Sequence, residues 1–407
     1  MGNKLFLRKQ GKVSNLRWLY VILGIIIMLC FGTVYSWSIF RMPVEKVFNI
    51  GSTQSGFPYM TSLAFYALFM MLSGRYFNKF SPRVIILTGS LLLSAGWILS
   101  SFSPNIYTLT ITYGAISGAG VGIAYGVPLA IVTKWFPDKK GFVIGLVLLG
   151  FGVSPLVTAP LAKILIEIFG VMKTFLVLGV AFGIIIPILS YPLKYPSESE
   201  TNELKNVTGK EKESNEFDTK KMIRTFSFKG LYVNFIIGTM VGLMLIGLTS
   251  SVGIQLIGLS QIQVALMISF FAIFNGIGRP VFGWITDKFS TKKAMIVSYI
   301  LIATAALIMS FAGNGSIVLF GIAFSIFWFN LGGWLAIAPT ATRILYGANN
   351  YSQNFGVVFT AYGIGAVLGV AGSGLILDIF KSYYYIFYLI IVLCASGCLL
   401  AIKTMKD

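Results

Sequence analysis

The residues best equipped for chemistry in this chain are Arg279 and Asn275, four positions apart in the stretch FAIFNGIGRP at 271–280. Four positions is about one helical turn, so a helix here puts the guanidinium and the amide on one face. Apolar sequence runs both ways from them, and 262–285 holds no other charge. An arginine near the centre of such a run costs roughly 2.5–3.5 kcal/mol on insertion scales, so something must offset it. A purely structural arginine would reach a water surface or bond to carbonyls of a neighbouring helix. Asp287 is eight residues on, about 12 Å along a helix axis, which a side chain only partly covers. An arginine without an acid beside it, facing a cavity, is an anion receptor whose planar fork fits a carboxylate with two parallel hydrogen bonds. Arg279 is therefore expected to bind substrate, with Asn275 orienting it or donating to the same ligand.

Other chemistry is poorly supplied. Histidine is absent, which removes the commonest metal ligand and general base. Of the thirteen acids, seven lie in 198–218, and Glu45, Asp138, Glu167, Asp287, Asp378 and Asp407 sit at helix ends, in loops or at the terminus. Cys30, Cys394 and Cys398 fall in apolar runs, where cysteine is usually a small hydrophobe. No catalytic group, metal, cofactor or disulfide is expected, and an enzyme is disfavoured.

The elements that must hold Arg279 are membrane helices. The 407 residues are 56% hydrophobic and 11% charged, with a mean hydropathy of +0.84, far too apolar for an ordinary soluble chain. Crossing the hydrocarbon core takes about 20 apolar residues. Twelve such runs occur, at 18–40, 53–74, 84–103, 107–133, 142–166, 172–192, 230–254, 262–285, 294–313, 315–341, 353–377 and 383–402. The expected fold class is an all-α membrane protein of twelve transmembrane helices. A net charge of +18 raises the question of nucleic acid, but the placement of the basic residues removes it. With the N-terminus in the cytoplasm, 25 of the 31 fall in inner segments and five (Arg41, Lys46, Lys163, Lys173 and Lys381) in outer ones, leaving Arg279. That is the positive-inside bias of helical membrane proteins. The expected partners are the lipid bilayer and a small anion, with no nucleic acid. The expected setting is the cell (plasma) membrane, multi-pass, both termini cytoplasmic, and the chain is expected to act as a monomer.

Residues 193–229 interrupt the apolar runs with a mixed-charge, Ser- and Glu-rich segment, the composition of a flexible linker. This divides the chain into a bundle at 1–192, a cytoplasmic linker at 193–229 and a bundle at 230–407. GRYFNKFSPR at 74–83 aligns on GWITDKFSTK at 283–292 with a constant offset of 209. Both copies follow the second run of their half. Here the chain resembles the major facilitator superfamily, which carries a Gly-x-x-x-Asp-(Arg/Lys)-x-Gly-x-(Arg/Lys) loop at this place. The resemblance implies two six-helix bundles rocking about a central site, with Gly74, Asn78, Lys79 and Arg83, and Gly283, Asp287, Lys288 and Lys292, as conformational loops. Asn78 replaces the usual acid, and Ser81 and Ser290 the usual glycine. At the same offset Arg279 pairs with Met70 and Asn275 with Tyr66, so only the second half carries the charge.

Small-ligand sites are mostly apolar or aromatic, and Tyr35, Trp37, Tyr125, Leu331, Trp334, Leu335, Phe359 and Tyr362 offer such groups. For each one taken singly, simple core or lipid contact is the commoner role. YSWS in the first run, KWFPDKKG at 134–141 and NGIGRPVFGWITDK in the eighth resemble the oxalate–formate antiporter family, which is similar to the monocarboxylate transporters. The resemblance implies that Arg279 is the substrate-binding arginine and puts Asn275, Tyr35, Tyr125 and Phe359 at pocket positions. Oxalate exchangers of that family carry a lysine where this chain has Tyr362. One opposite charge at 4 Å is worth about 4 kcal/mol at an effective dielectric of 20, a serious loss for a dianion and none for a monocarboxylate. A lactate-, pyruvate- or formate-like monocarboxylate is the expected cargo. An oxalate/formate exchanger and a drug efflux pump are the alternatives. Animal monocarboxylate transporters have an aspartate where this chain has Asn275, which leaves co-transport of a proton open.

Overall fold

The computed structural model describes residues 2–74, 76, 79–136, 140–197, 217–347 and 350–405. Asn78 and most of the linker lie outside the described residues. Each of the twelve apolar runs is a helix long enough to cross a bilayer. They are α1 (Arg17–Phe48), α2 (Ser52–Ser73), α3 (Pro82–Ser100), α4 (Ile106–Trp135), α5 (Phe142–Phe169), α6 (Val171–Ser190), α7 (Phe226–Gln255), α8 (Gln261–Lys288), α9 (Thr291–Ser310), α10 (Ile317–Tyr346), α11 (Gln353–Phe380) and α12 (Tyr384–Thr404). Helices are the expected solution, because hydrocarbon offers no partner to a backbone N–H or C=O and an α-helix satisfies both internally.

The helices form two six-helix bundles, α1–α6 and α7–α12, with no strand among the described residues. Within them α3 packs on α6, α8 on α10 and α9 on α12. The bundles meet chiefly along two seams, α2 against α11 and α5 against α8. One end of the molecule carries the linker residues, and we call it the linker end and the opposite one the far end.

Helix starts follow local rules. At α8, Ser260 caps the amide of Gln263 while the Gln263 side chain accepts from the Ser260 amide, a reciprocal pair that satisfies two otherwise orphaned donors. The first helix runs well past the apolar stretch that announces it, through Pro43 to Phe48. Hydropathy falls at Arg41, but the helix continues because Arg41 and Glu45 pair one turn apart.

The linker is tied down at each margin. The Leu193 carbonyl accepts from Arg83 Nε at 3.2 Å and the Lys194 carbonyl from Trp135 Nε1 at 2.9 Å, both on the first bundle. Phe217 donates its amide to the Tyr346 carbonyl at 3.1 Å, and its own carbonyl accepts from Asn354 Nδ2 at 3.0 Å, on the second. A freely flexible segment over the whole of 193–229 is thus corrected at its margins, where side-chain donors from α3, α4 and α11 fix the backbone.

Candidate functional site

Arg279 lies on α8 where that helix crosses α5 of the other bundle. The helix is drawn tight onto α10 there. A Cβ on Gly278 would stand 2.0 Å from the Phe329 carbonyl oxygen, and one on Gly332 at the same distance from that of Asn275. Only hydrogen fits at those two contacts, and they turn the opposite face of α8 toward α5.

The guanidinium is buried, with 2% of the residue exposed. Its Nη1 donates to the Leu148 carbonyl of α5 at 2.7 Å, and Nη2 makes a long contact of 3.4 Å to Asn275 Oδ1. Its Nε has no partner. The Phe151 ring lies 5.9 Å from the guanidinium carbon, and the Tyr125 phenol is close enough to interact with it. Asn275 is locked in turn, donating Nδ2 to the Trp328 carbonyl at 3.0 Å. Among the described residues no carboxylate pairs with Arg279. Neutral dipoles therefore surround a full positive charge, which they stabilise and do not cancel.

Aromatic rings from both bundles close the space beside it. Tyr35 of α1 and Tyr362 of α11 join hydroxyl to hydroxyl at 2.9 Å across the bundles. Tyr66 of α2 packs edge-on against Tyr125, Phe359 and Tyr362 at 5.0–5.7 Å between centroids. Phe151 of α5 does the same to Tyr35 and Tyr125, at 5.1 and 5.4 Å, and Phe359 stacks on Tyr362 at 4.8 Å. Such edge-to-face contacts are worth about 0.5–1.5 kcal/mol each beyond burial. The open cavity expected in front of Arg279 is closed to solvent, since Tyr35, Tyr66, Phe359 and Tyr362 are each at most 2% exposed.

The structure thus brings Arg279, Asn275, Tyr35, Tyr125, Phe359 and Tyr362 into one cluster. Leu331 is elsewhere, against Gly242 of α7. Leu335 is buried. Trp334 packs on Tyr299 and Gly238, away from Arg279. Sequence reasoning missed Tyr66 and Phe151. The repeat offset carried a signal for the first, since it lays Tyr66 on Asn275. Phe151 sits between Gly150 and Gly152 in an apolar run, where the sequence alone does not set it apart from other core aromatics. A Cβ at Gly152 would stand 2.8 Å from Asn275 Oδ1 and 3.1 Å from Arg279 Nε, so that glycine makes room for the pair.

The two repeated loops expected to be conformational lie at the linker end. Lys79 stands over the Tyr76 ring, Arg83 over Tyr191, and Lys288 over Trp284. Asp287 is exposed, Gly74 and Gly283 are half-buried, and Lys292 is engaged with a neighbour.

Residues 21–345 match the model of the Major Facilitator Superfamily. The chain belongs to that superfamily. It is a transporter and not an enzyme. It is 27% identical over 371 residues to an oxalate:formate antiporter of Oxalobacter formigenes, covering 91% of this chain and 87% of that protein. It is similar also to monocarboxylate transporter 12 of Xenopus laevis, 27% identical over 77% of this chain and 72% of that one. A solved bacterial homolog of the human lysosomal transporter Spinster, in an inward-facing and occupied conformation, superposes with a TM-score of 0.73 at 14% identity. The match covers 95% of this chain and 97% of that one, and it supports the fold alone.

Proposed function

We propose that this chain carries small monocarboxylate anions (lactate-, pyruvate- or formate-like) across the cell membrane by alternating access, the carboxylate being held by Arg279. The observation that carries this reading is a buried guanidinium at the seam between bundles with one partnerless nitrogen and, among the described residues, no acid beside it. A carboxylate would replace the Leu148 carbonyl as acceptor and supply the missing negative charge, and the fork of Arg279 can meet it with two bonds. Asn275 holds the arginine in place, and Tyr125, Tyr35, Phe359 and Tyr362 enclose the rest of a small cargo.

The moving parts are the bundles 1–192 and 230–407, joined by the linker 193–229. The loops around Gly74, Asn78, Lys79 and Arg83 and around Gly283, Asp287, Lys288 and Lys292 ease their rocking. The positive-inside bias assigns the linker end and both termini to the cytoplasm. The protein works as a monomer, and the neutral Asn275 leaves proton co-transport without an acidic carrier beside the arginine.

A competition panel tests the substrate class. Lactate, pyruvate and formate should inhibit uptake of labelled lactate into proteoliposomes, and lipophilic cations should not; the reverse ranking would favour drug efflux. The kinship with an oxalate:formate antiporter supports oxalate exchange as the second reading. Tyr362 is neutral and engaged with Tyr35, so oxalate meets a single cation. Tyr362→Lys should raise the oxalate-to-lactate affinity ratio about tenfold or more, and an unchanged ratio would undo the selectivity argument.

A further inference from the structure

The polar ties between the bundles gather at the far end. Asp378, in the last turns of α11, reaches across to the start of α2. One of its oxygens accepts from the Ser52 amide at 3.2 Å, and the other from the Thr53 amide at 3.0 Å and from the Thr53 hydroxyl. The approach is close enough that a Cβ on Gly374, one turn earlier, would stand 2.7 Å from Thr53 Cα. The turn Ser52–Ser55 is gripped on its other side by Arg41 of α1. Nη2 of that arginine donates to the Ser52 carbonyl at 2.6 Å and Nε to Ser55 Oγ at 3.0 Å, while Nη1 crosses to the Gly247 carbonyl of α7 at 3.3 Å. A third tie runs from Lys163 of α5 to Gln261 of α8 at 2.6 Å. From the Tyr35–Tyr362 pair toward the linker end, the bond from Arg279 to the Leu148 carbonyl also crosses between the bundles.

We propose that Asp378 is the positioning residue that holds the far end shut, with the Ser52–Ser55 turn as its catch and Arg41 bracing that turn from behind. The carboxylate supplies from the opposite bundle the cap that α2 lacks in its own sequence, since Gly51 precedes it with no side chain to offer. Three bonds to one ionised group are charge-assisted and stronger than neutral ones. They all break together when α11 parts from α2. Opening of the far end therefore carries the loss of this cap, and the balance between the two access states is set there, at a distance from the arginine site.

This inference rests on the alternating-access part of the proposed function and is independent of which anion is carried. It is tested by accessibility rather than by transport. Ser251 is buried on α7, one turn beyond Gly247 on the same face, and Ser251→Cys is a near-isosteric reporter. A membrane-impermeant maleimide is applied to right-side-out and inside-out vesicles, with the chain carrying only its native Cys30, Cys394 and Cys398 as background. Asp378→Ala should raise the labelling rate of the reporter about tenfold or more, from the far-end side only. Thr53→Val, which removes one of the three donors, should raise it by a smaller factor. Labelling at the parental rate in both variants, with both inserted at parental levels, would overturn the proposal. If the alanine variant fails to insert, an unchanged rate in Thr53→Val overturns it alone. Altered labelling together with unimpaired lactate uptake in Arg279→Ala would leave the latch standing and remove the substrate assignment instead.

Discussion

Two arginines are buried between the bundles, and they are partnered differently. Arg41 is 1% exposed and Arg279 is 2% exposed, and each sends one N–H across to a backbone carbonyl of the other bundle. Arg41 has Glu45 one turn later, 3.5 Å from its Nε, and Ser55 Oγ bonds to both of them. At the equivalent distance along its own helix Arg279 has Asn275, which is neutral. The first charge has a carboxylate partner, and the second has none among the described residues. Desolvating a guanidinium is costly unless a counter-charge and hydrogen bonds offset it. Arg41 therefore reads as structure and Arg279 as a receptor, although composition and burial alone would not separate them.

The sharpest way to break that contrast is to remove the unpaired guanidinium. Arg279→Ala should lower lactate uptake at least about a hundredfold while the protein still folds and inserts, because truncating one member of a buried charge pair costs several kcal/mol. Arg279→Lys should be nearly as impaired, since a point charge does not replace a fork. Uptake and detergent-solution monodispersity measured on the same preparations check this pair.

A second variant makes the receptor resemble the structural arginine. Asn275→Asp would give Arg279 an internal anion, so the affinity for lactate at neutral pH should fall about tenfold. The sign with pH follows. The protonated aspartic acid is neutral and can still donate to the Trp328 carbonyl, so affinity should recover as pH falls through its pKa and be lost again as pH rises. KM measured between pH 5 and 8 checks this, and a flat profile identical to the parent would contradict it.

The smallest effect is expected from loosening the structural pair. Glu45→Gln leaves Arg41 its hydroxyl and carbonyl acceptors, and Glu45 is itself partly solvated, so thermal stability should drop by about 1–2 kcal/mol. Lactate affinity should stay within about threefold of the parent. A large change in affinity would mean that Arg41 also meets the cargo.

Much of this was legible in the amino-acid order. Twelve apolar runs became twelve helices, and Arg279 stood out because nothing else in 262–285 is charged. Tyr35, Tyr125, Phe359 and Tyr362 converge around it. The depth of Arg41 was not legible. It follows the apolar run, and one-dimensional hydropathy places it outside, yet α1 continues and α7 and α2 fold over it. The fully enclosed site was hidden for a related reason. A sequence shows which face a side chain takes on its helix, whereas the approach of α5 to α8 depends on Gly152, Gly278 and Gly332 meeting neighbours remote in sequence. Tyr66 aligns with Asn275 in the repeat, and a neutral residue on a neutral residue carries no signal in the charge pattern.

Uptake mixes binding with rocking, so the central claim is best tested by binding alone. Titrating lactate into the purified transporter by calorimetry should give saturable heat for the wild type and none for Arg279→Ala at the same concentrations. Equal affinity in the two proteins would contradict the account, since the charge at position 279 would then be neutralised by something other than the cargo.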